Sequence, residues 1–189
     1  MRIALDHPEM VKSLVVLNSG MAPSGPEDWK MAFYMYISFY VDPPEGPTPE
    51  SIRRGMEFWS YARNNITTEK VERDYRLLHL PKMIEAREQM KKHYMNPAHP
   101  SFQEGKNKVL EEIKEGKLKV PTLIVWGYND PSLPYQVGMK LFEYVSASVF
   151  QSQLHLFNNC GHHAYMEYPE QFNKLIKAFC GSNTFLPPE

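Results

Sequence analysis

The chain has 189 residues, 42% hydrophobic and 23% charged, with a formal net charge of −1. That length suffices for one domain with a real core, and the balanced charge leaves no basic footprint for nucleic acid. No apolar run approaches the roughly 20 residues of a membrane span, no signal-peptide core opens the sequence, and two cysteines, Cys160 and Cys180, make no disulfide framework. A reducing, cytoplasmic setting is the expectation.

Residues 2–7 read as a last helical turn, ended by Pro8, which disfavours helix at the residue before it. The run Leu14-Val-Val-Leu17 predicts a buried strand, and Asn18-Ser19-Gly20 turns the chain. Residues 21–108 then interrupt the strand pattern. Met31 to Val41 is rich in aromatic and Met residues, with Phe33, Tyr34, Tyr36, Phe39 and Tyr40. Thr48-Pro49 is a helix start, with Thr48 as N-cap and Pro49 at the first helical position. Ile52, Met56 and Trp59 lie on one face of it. A second start lies at Thr67, with Val71, Tyr75 and Leu78 as the apolar face and Pro81 as the break. Met83, Met90 and Tyr94 continue a helical stripe as far as Asn96-Pro97. Ser101 and Glu104 have the spacing of a capping box, Gly105 weakens the helix after them, and Val109 to Lys114 predicts a short helix.

Pro121 to Trp126 predicts the next strand, stopped by Gly127 and followed by a turn carrying Asp130. Pro134 to Val145 reads as a helix with Val137, Leu141 and Tyr144 inward. Residues 153–157 form a third strand, followed by a turn carrying Cys160, His162 and His163. Pro169 to Phe179 is the last helix, with Phe172, Leu175, Ile176 and Phe179 toward the core, and 183–189 is a tail. Parallel strands in an α/β sheet end on the same edge and present their following loops side by side. Asp130 and His162 are therefore expected to meet within a hydrogen bond, the carboxylate orienting the imidazole and stabilising its protonated form.

Other candidates carry less. Ser19 is a turn serine at a strand end, with Leu17 where a nucleophile turn needs Gly. Cys160 sits two residues from His162 in one tight loop, poor geometry for proton transfer. His93 and His99 flank Pro97 and have no carboxylate or Cys beside them, so no metal site is assigned, and no cofactor either.

The ordered set of Ala4-Leu-Asp-His-Pro-Glu9, Val11 to Leu17, Asn65 to Tyr75, Pro121 to Asp130, Cys160-Gly-His162 and Glu167 to Asn173 resembles the α/β-hydrolase superfamily. Within it the chain is most similar to the meta-cleavage-product hydrolases and related carboxylesterases. The resemblance implies a partial α/β-hydrolase fold: a three-stranded parallel sheet from residues 1–20 and 109–182, with 21–108 as a helical cap over the active site. It implies hydrolysis of a C–C bond in a vinylogous diketo acid, or of a carboxylic ester, with His162 as base and Asp130 as acid of a Ser–His–Asp triad. His163 departs from the Trp common after the family's catalytic His and is expected at the surface or the pocket rim. The family's Gly-x-Ser-x-Gly elbow does not occur in the sequence. The chain thus reads as the part C-terminal to the elbow, with the nucleophile strand expected upstream of Met1. The expected partners are a small apolar or ester substrate and, for the unpaired edge of strand 14–17, a second copy or the missing N-terminal half. A non-catalytic small-molecule binding module, or a truncated fragment with no activity of its own, is the alternative.

Overall fold

The computed structural model describes residues 1–25, 28, 34–41, 45–93 and 100–181. Three strands, β1 (Leu14–Leu17), β2 (Thr122–Gly127) and β3 (Ser152–Phe157), form one parallel sheet in the order β1-β2-β3. Leu14 is opposite Thr122 and Leu17 opposite Val125, while Thr122 is opposite Ser152 and Gly127 opposite Phe157. The fold class read from the sequence is the one observed.

β2 lies in the middle, and every one of its residues is buried. Its period of two sends alternate side chains to opposite faces, so a parallel strand covered on both sides needs a continuous apolar run. Ile124 and Trp126 join Val16, Leu154 and Leu156 under α1 (Arg2–Asp6), α5 (Pro100–Lys114) and α6 (Tyr135–Ser146). Leu123 and Val125 join Val15, Leu17 and Phe157 under α7 (Ala164–Glu167) and α8 (Pro169–Gly181). α8 presents Phe172, Leu175, Ile176 and Phe179 to that side, as its sequence period requires. α6 sits close over Trp126 because Gly138 has no Cβ, which would come within 2.6 Å of the indole.

Between β1 and β2 lies the helical segment, with a π-helical turn at Ile37–Val41, then α2 (Pro49–Trp59), α3 (Thr68–Leu78) and α4 (Pro81–His93). Thr48 caps α2 by accepting from the Ser51 amide at 3.1 Å, and the Ser51 hydroxyl accepts from the Thr48 amide at 2.9 Å. Thr67 caps α3 through the Lys70 amide at 3.3 Å. Pro81 ends one helix and opens the next, since it fits only a first turn.

Two expectations need correction. α5 starts at Pro100 rather than near Val109, so Ser101 lies inside the helix and is not its cap. The stripe that supports the longer helix is Lys106, Val109, Leu110 and Ile113, all buried. Lys106 hides its ammonium in hydrogen bonds to the Ser24 carbonyl and hydroxyl at 2.6 and 2.7 Å. On α3, Val71 is buried but Tyr75 is exposed, its ring 4.2 Å from that of His79. On α4, among the described side chains, Met83 is partly buried and Arg87 is buried, donating to the Leu78 carbonyl at the end of α3. Met31, Phe33, Tyr94, Asn96, Pro97, His99 and the 183–189 tail lie outside the described residues. Among the described residues no helix is long and apolar enough to cross a membrane.

Candidate active site

The loops after β2 and β3 are joined by backbone hydrogen bonds that continue the sheet past its strands. Tyr128 N donates to Phe157 O, and Asn129 N to Cys160 O, both at 2.9 Å. This close approach requires glycine at the end of β2, because a Cβ on Gly127 would lie 1.8 Å from the Gly161 carbonyl oxygen.

The joined loops bring Asp130 to His162, with Oδ2 and Nδ1 2.8 Å apart, inside the expected hydrogen-bond range. The Asp130 side chain is fully buried and that of His162 is 25% exposed. Oδ1 of Asp130 accepts from the Ser132 amide (2.8 Å), the Ser132 hydroxyl (2.6 Å) and the Leu133 amide (3.3 Å). Oδ2 also accepts from the side-chain amide of Asn18, at the end of β1, at 2.5 Å. Burial pushes the Asp130 carboxyl up, but the hydrogen bond and charge of His162, with the Ser132 bonds, outweigh it and hold the group below its ordinary range. The ionised carboxylate needs a donor from Nδ1, which fixes the proton there and leaves the Nε2 lone pair free. The Ser132 hydroxyl lies 2.9 Å from Nδ1. It is therefore beside the wrong nitrogen to act as nucleophile.

The far side of His162 is held by the helical segment. Its amide donates to the Trp59 carbonyl at 2.8 Å, and the two rings are 5.2 Å apart. Glu167 ties the same two parts together. Oε1 accepts from Gly161 N at 2.8 Å, and Oε2 from Tyr61 N and Ala62 N at 2.9 and 2.8 Å.

Among the remaining candidates, Ser19 accepts from Met21 N at 3.2 Å, the local bond of a turn serine. Cys160 is fully buried, and burial, then the Glu167 carboxylate, pushes its thiol up to about 12. Alkylation by iodoacetamide at pH 8 is expected to be about a thousandfold slower at Cys160 than at a free thiol, because only the thiolate reacts. Peptide mapping of the alkylated protein checks this.

His163 is partly buried, edge-on between His162 (4.9 Å) and Tyr165 (5.6 Å). Burial, then the charge of His162, lowers it to about 4. The unfolded chain therefore binds more protons in the window between about 4 and 6.5. Stability contributed by neutral His163 is full above that window and is lost as pH falls through it, with a slope of at most about 1.4 kcal/mol per pH unit. Urea unfolding of wild type and His163→Gln across that range is expected to give a difference that closes as pH falls.

Sequence reading missed four residues that shape the site: Asn18, Trp59, Ser132 and Glu167. Only Ser132 carried a local signal, since an Asp accepting the amide two residues on is a common turn.

No family model matches the sequence. Among curated proteins the chain is similar to the 2-hydroxy-6-oxononadienedioate/2-hydroxy-6-oxononatrienedioate hydrolase of Cupriavidus pinatubonensis. The two are 26% identical over 185 residues, which is 95% of this chain and 57% of that protein. The corresponding hydrolase 2 of Pseudomonas putida is 29% identical over 188 residues, 93% of this chain and 56% of that protein. Among solved structures, the meta-cleavage product hydrolase CumD of Pseudomonas fluorescens IP01 superposes with a TM-score of 0.69 at 22% identity, over 97% of this chain and 60% of that one. The 2-hydroxy-6-oxo-6-phenylhexa-2,4-dienoate hydrolase of Rhodococcus sp. strain RHA1 superposes with a TM-score of 0.70 at 17% identity, over 96% and 59%. The chain thus carries a partial α/β-hydrolase fold. Its homologues are meta-cleavage-product hydrolases, and it spans a little over half their length.

Proposed function

We propose that this chain supplies the base and the acid of a Ser–His–Asp hydrolase, His162 acting through Nε2 and Asp130 orienting it. The observation that carries this reading is the 2.8 Å contact between Asp130 Oδ2 and His162 Nδ1, made by loops that follow neighbouring parallel strands. The substrate class is a vinylogous diketo acid cleaved at a C–C bond, as the names of the relatives suggest, or a carboxylic ester. In this reading the segment between β1 and β2 is the cap. Trp59, whose ring lies beside that of His162, suits a flat apolar ligand there.

The nucleophile comes from a serine outside these 189 residues, since the sequence has no Gly-x-Ser-x-Gly and neither Ser19 nor Ser132 is placed for the task. The open edge of β1, which pairs with β2 alone among the described strands, is where a serine-bearing strand would add. The test mixes the chain with an N-terminal half taken from one of the relatives and carrying the serine elbow. Neither half alone is expected to turn over a p-nitrophenyl ester or a dienoate, and the mixture is expected to do so. A mixture that forms a complex and binds the dienoate without turnover would favour the binding-module reading instead.

A further inference from the structure

We infer that Asn18 is a positioning residue for the base, acting through Asp130; the inference rests on the assignment of His162 as base and Asp130 as its acid. Asp130 is held at two ends of unequal kind. Its Oδ1 takes three donors, all from the following residues Ser132 and Leu133, so that end is fixed by the loop's own turn. That anchor brings no donor to Oδ2. Oδ2 has two donors, both from elsewhere in the fold: Nδ1 of His162 and the amide of Asn18. His162 is the group to be positioned and is partly open to solvent. Asn18, only 5% exposed, is the fixed donor that sets Oδ2 independently of it.

An amide suits this role because it donates without titrating. It satisfies the second lone pair of Oδ2 and offers no site for a proton, so a proton taken up at Nε2 stays on the imidazole. Its orientation is dictated by the carboxylate, since the flipped amide would set oxygen against oxygen. That orientation leaves Oδ1 of Asn18 buried with no hydrogen-bond partner. The backbone of Asn18 is also left-handed, at φ 37°. Both features work against stability, and local strain of this kind persists where the surrounding structure uses it. Glycine at this position would relieve both. A residue serving only to fill space or turn the chain would therefore be replaceable by glycine without consequence for His162.

Among the described residues, the ionisable groups that face the pair are His163, edge-on to the ring, and Cys160 with Glu167 behind the loop. Asn18 meets the pair through the Asp130 carboxylate, so a change at Asn18 reaches His162 through Asp130.

The experiment is nitrogen-15 and proton NMR of the imidazole of His162 in the full chain, which needs no turnover. In wild type the Nδ1 proton is expected as a protected downfield resonance, with Nε2 bare. Asn18→Gly is expected to leave the thermal midpoint within about 4 °C of wild type while the Nδ1 proton exchanges at least about tenfold faster, as loss of a hydrogen bond to a charged group implies. Asn18→Leu fills the space without bringing a donor and is expected to behave in the same way toward that proton. A protected Nδ1 proton in either folded variant overturns the inference. Asp130→Asn separates the two readings. If it leaves the tautomer of His162 unchanged, the His–Asp reading itself fails; if it reverses the tautomer while Asn18→Gly changes nothing, only the role of Asn18 fails.

Discussion

In a site completed by a serine-bearing segment, His162→Ala is expected to lower kcat by about 10⁶, and Asp130→Asn by about 10⁴. The two losses differ because the residues do different things. Without the imidazole nothing accepts the serine proton. Asp130→Asn keeps the shape and changes the tautomer. Three donors converge on Oδ1 of Asp130. The replacement amide must therefore put its oxygen there and its NH₂ where Oδ2 was. That NH₂ faces Nδ1 of His162 and would drive the proton to Nε2, the nitrogen required as base. The Asn18 amide can turn over to receive the second N–H on its otherwise unpartnered oxygen, so the variant should fold normally. Steady-state kinetics on the assembled protein, with circular dichroism as the folding control, reads both losses. A His162→Ala variant within tenfold of wild type would place the base elsewhere.

The second large effect is on stability. Gly127→Ala is expected to destabilise the chain by about 3 kcal/mol or more, the upper end of the range for overpacking, which is roughly 6–12 °C in thermal midpoint for a protein of this size. The added Cβ would meet the backbone of the facing loop: the Gly161 oxygen at 1.8 Å, the Cys160 oxygen at 2.7 Å and the Gly161 carbon at 2.8 Å. None of these is the tip of a flexible side chain. Relief would require the two loops to part, breaking the Asn129–Cys160 bond and drawing Asp130 away from His162. Gly105→Ala is the internal comparison. Nothing lies within 4 Å of its added Cβ in the middle of α5, and alanine there should stabilise by about 0.5–1 kcal/mol. Urea unfolding of the pair therefore asks whether the first effect comes from the close loop packing. A Gly127→Ala protein as stable as wild type would mean that the loops do not pack this way.

What the sequence made legible was whatever depends on local order. The apolar run at β2 declared a strand buried on both faces, Thr48-Pro49 declared a helix start, and the spacing of strand and turn put Asp130 and His162 on one sheet edge. What stayed hidden depends on partners distant in sequence. Lys106 interrupts an apolar stripe on paper, yet two oxygens of Ser24 let it complete that stripe in three dimensions, which lengthens α5 by nine residues over the expected Val109 start. Tyr75 has the right helical spacing to be buried, but it stands exposed on α3 and lies against His79 instead. Asn18 reads as an ordinary turn residue until the sheet brings Asp130, 112 positions later, onto its amide. Gly127 was legible as a stop to the strand, whereas its reason, the oxygen of Gly161, was not.

The Glu167 carboxylate has a consequence for recombination among relatives. Its two oxygens bind amides on both sides of the boundary between the helical segment and the His162 loop, at Tyr61 and Ala62 on one side and at Gly161 on the other. The segment between β1 and β2 is thus not a freely exchangeable module. A transplanted segment would have to present two free amides at the same place, or leave Oε2 of Glu167 without its two donors. Chimeras cut at residues 21 and 108 should succeed when donor and recipient share that acid and the two amides. Where they do not, the crossover would better lie so that residues 59–62 stay with the recipient. The helical segment and the seating of His162 are thus inherited together unless residues 59–62 are left behind.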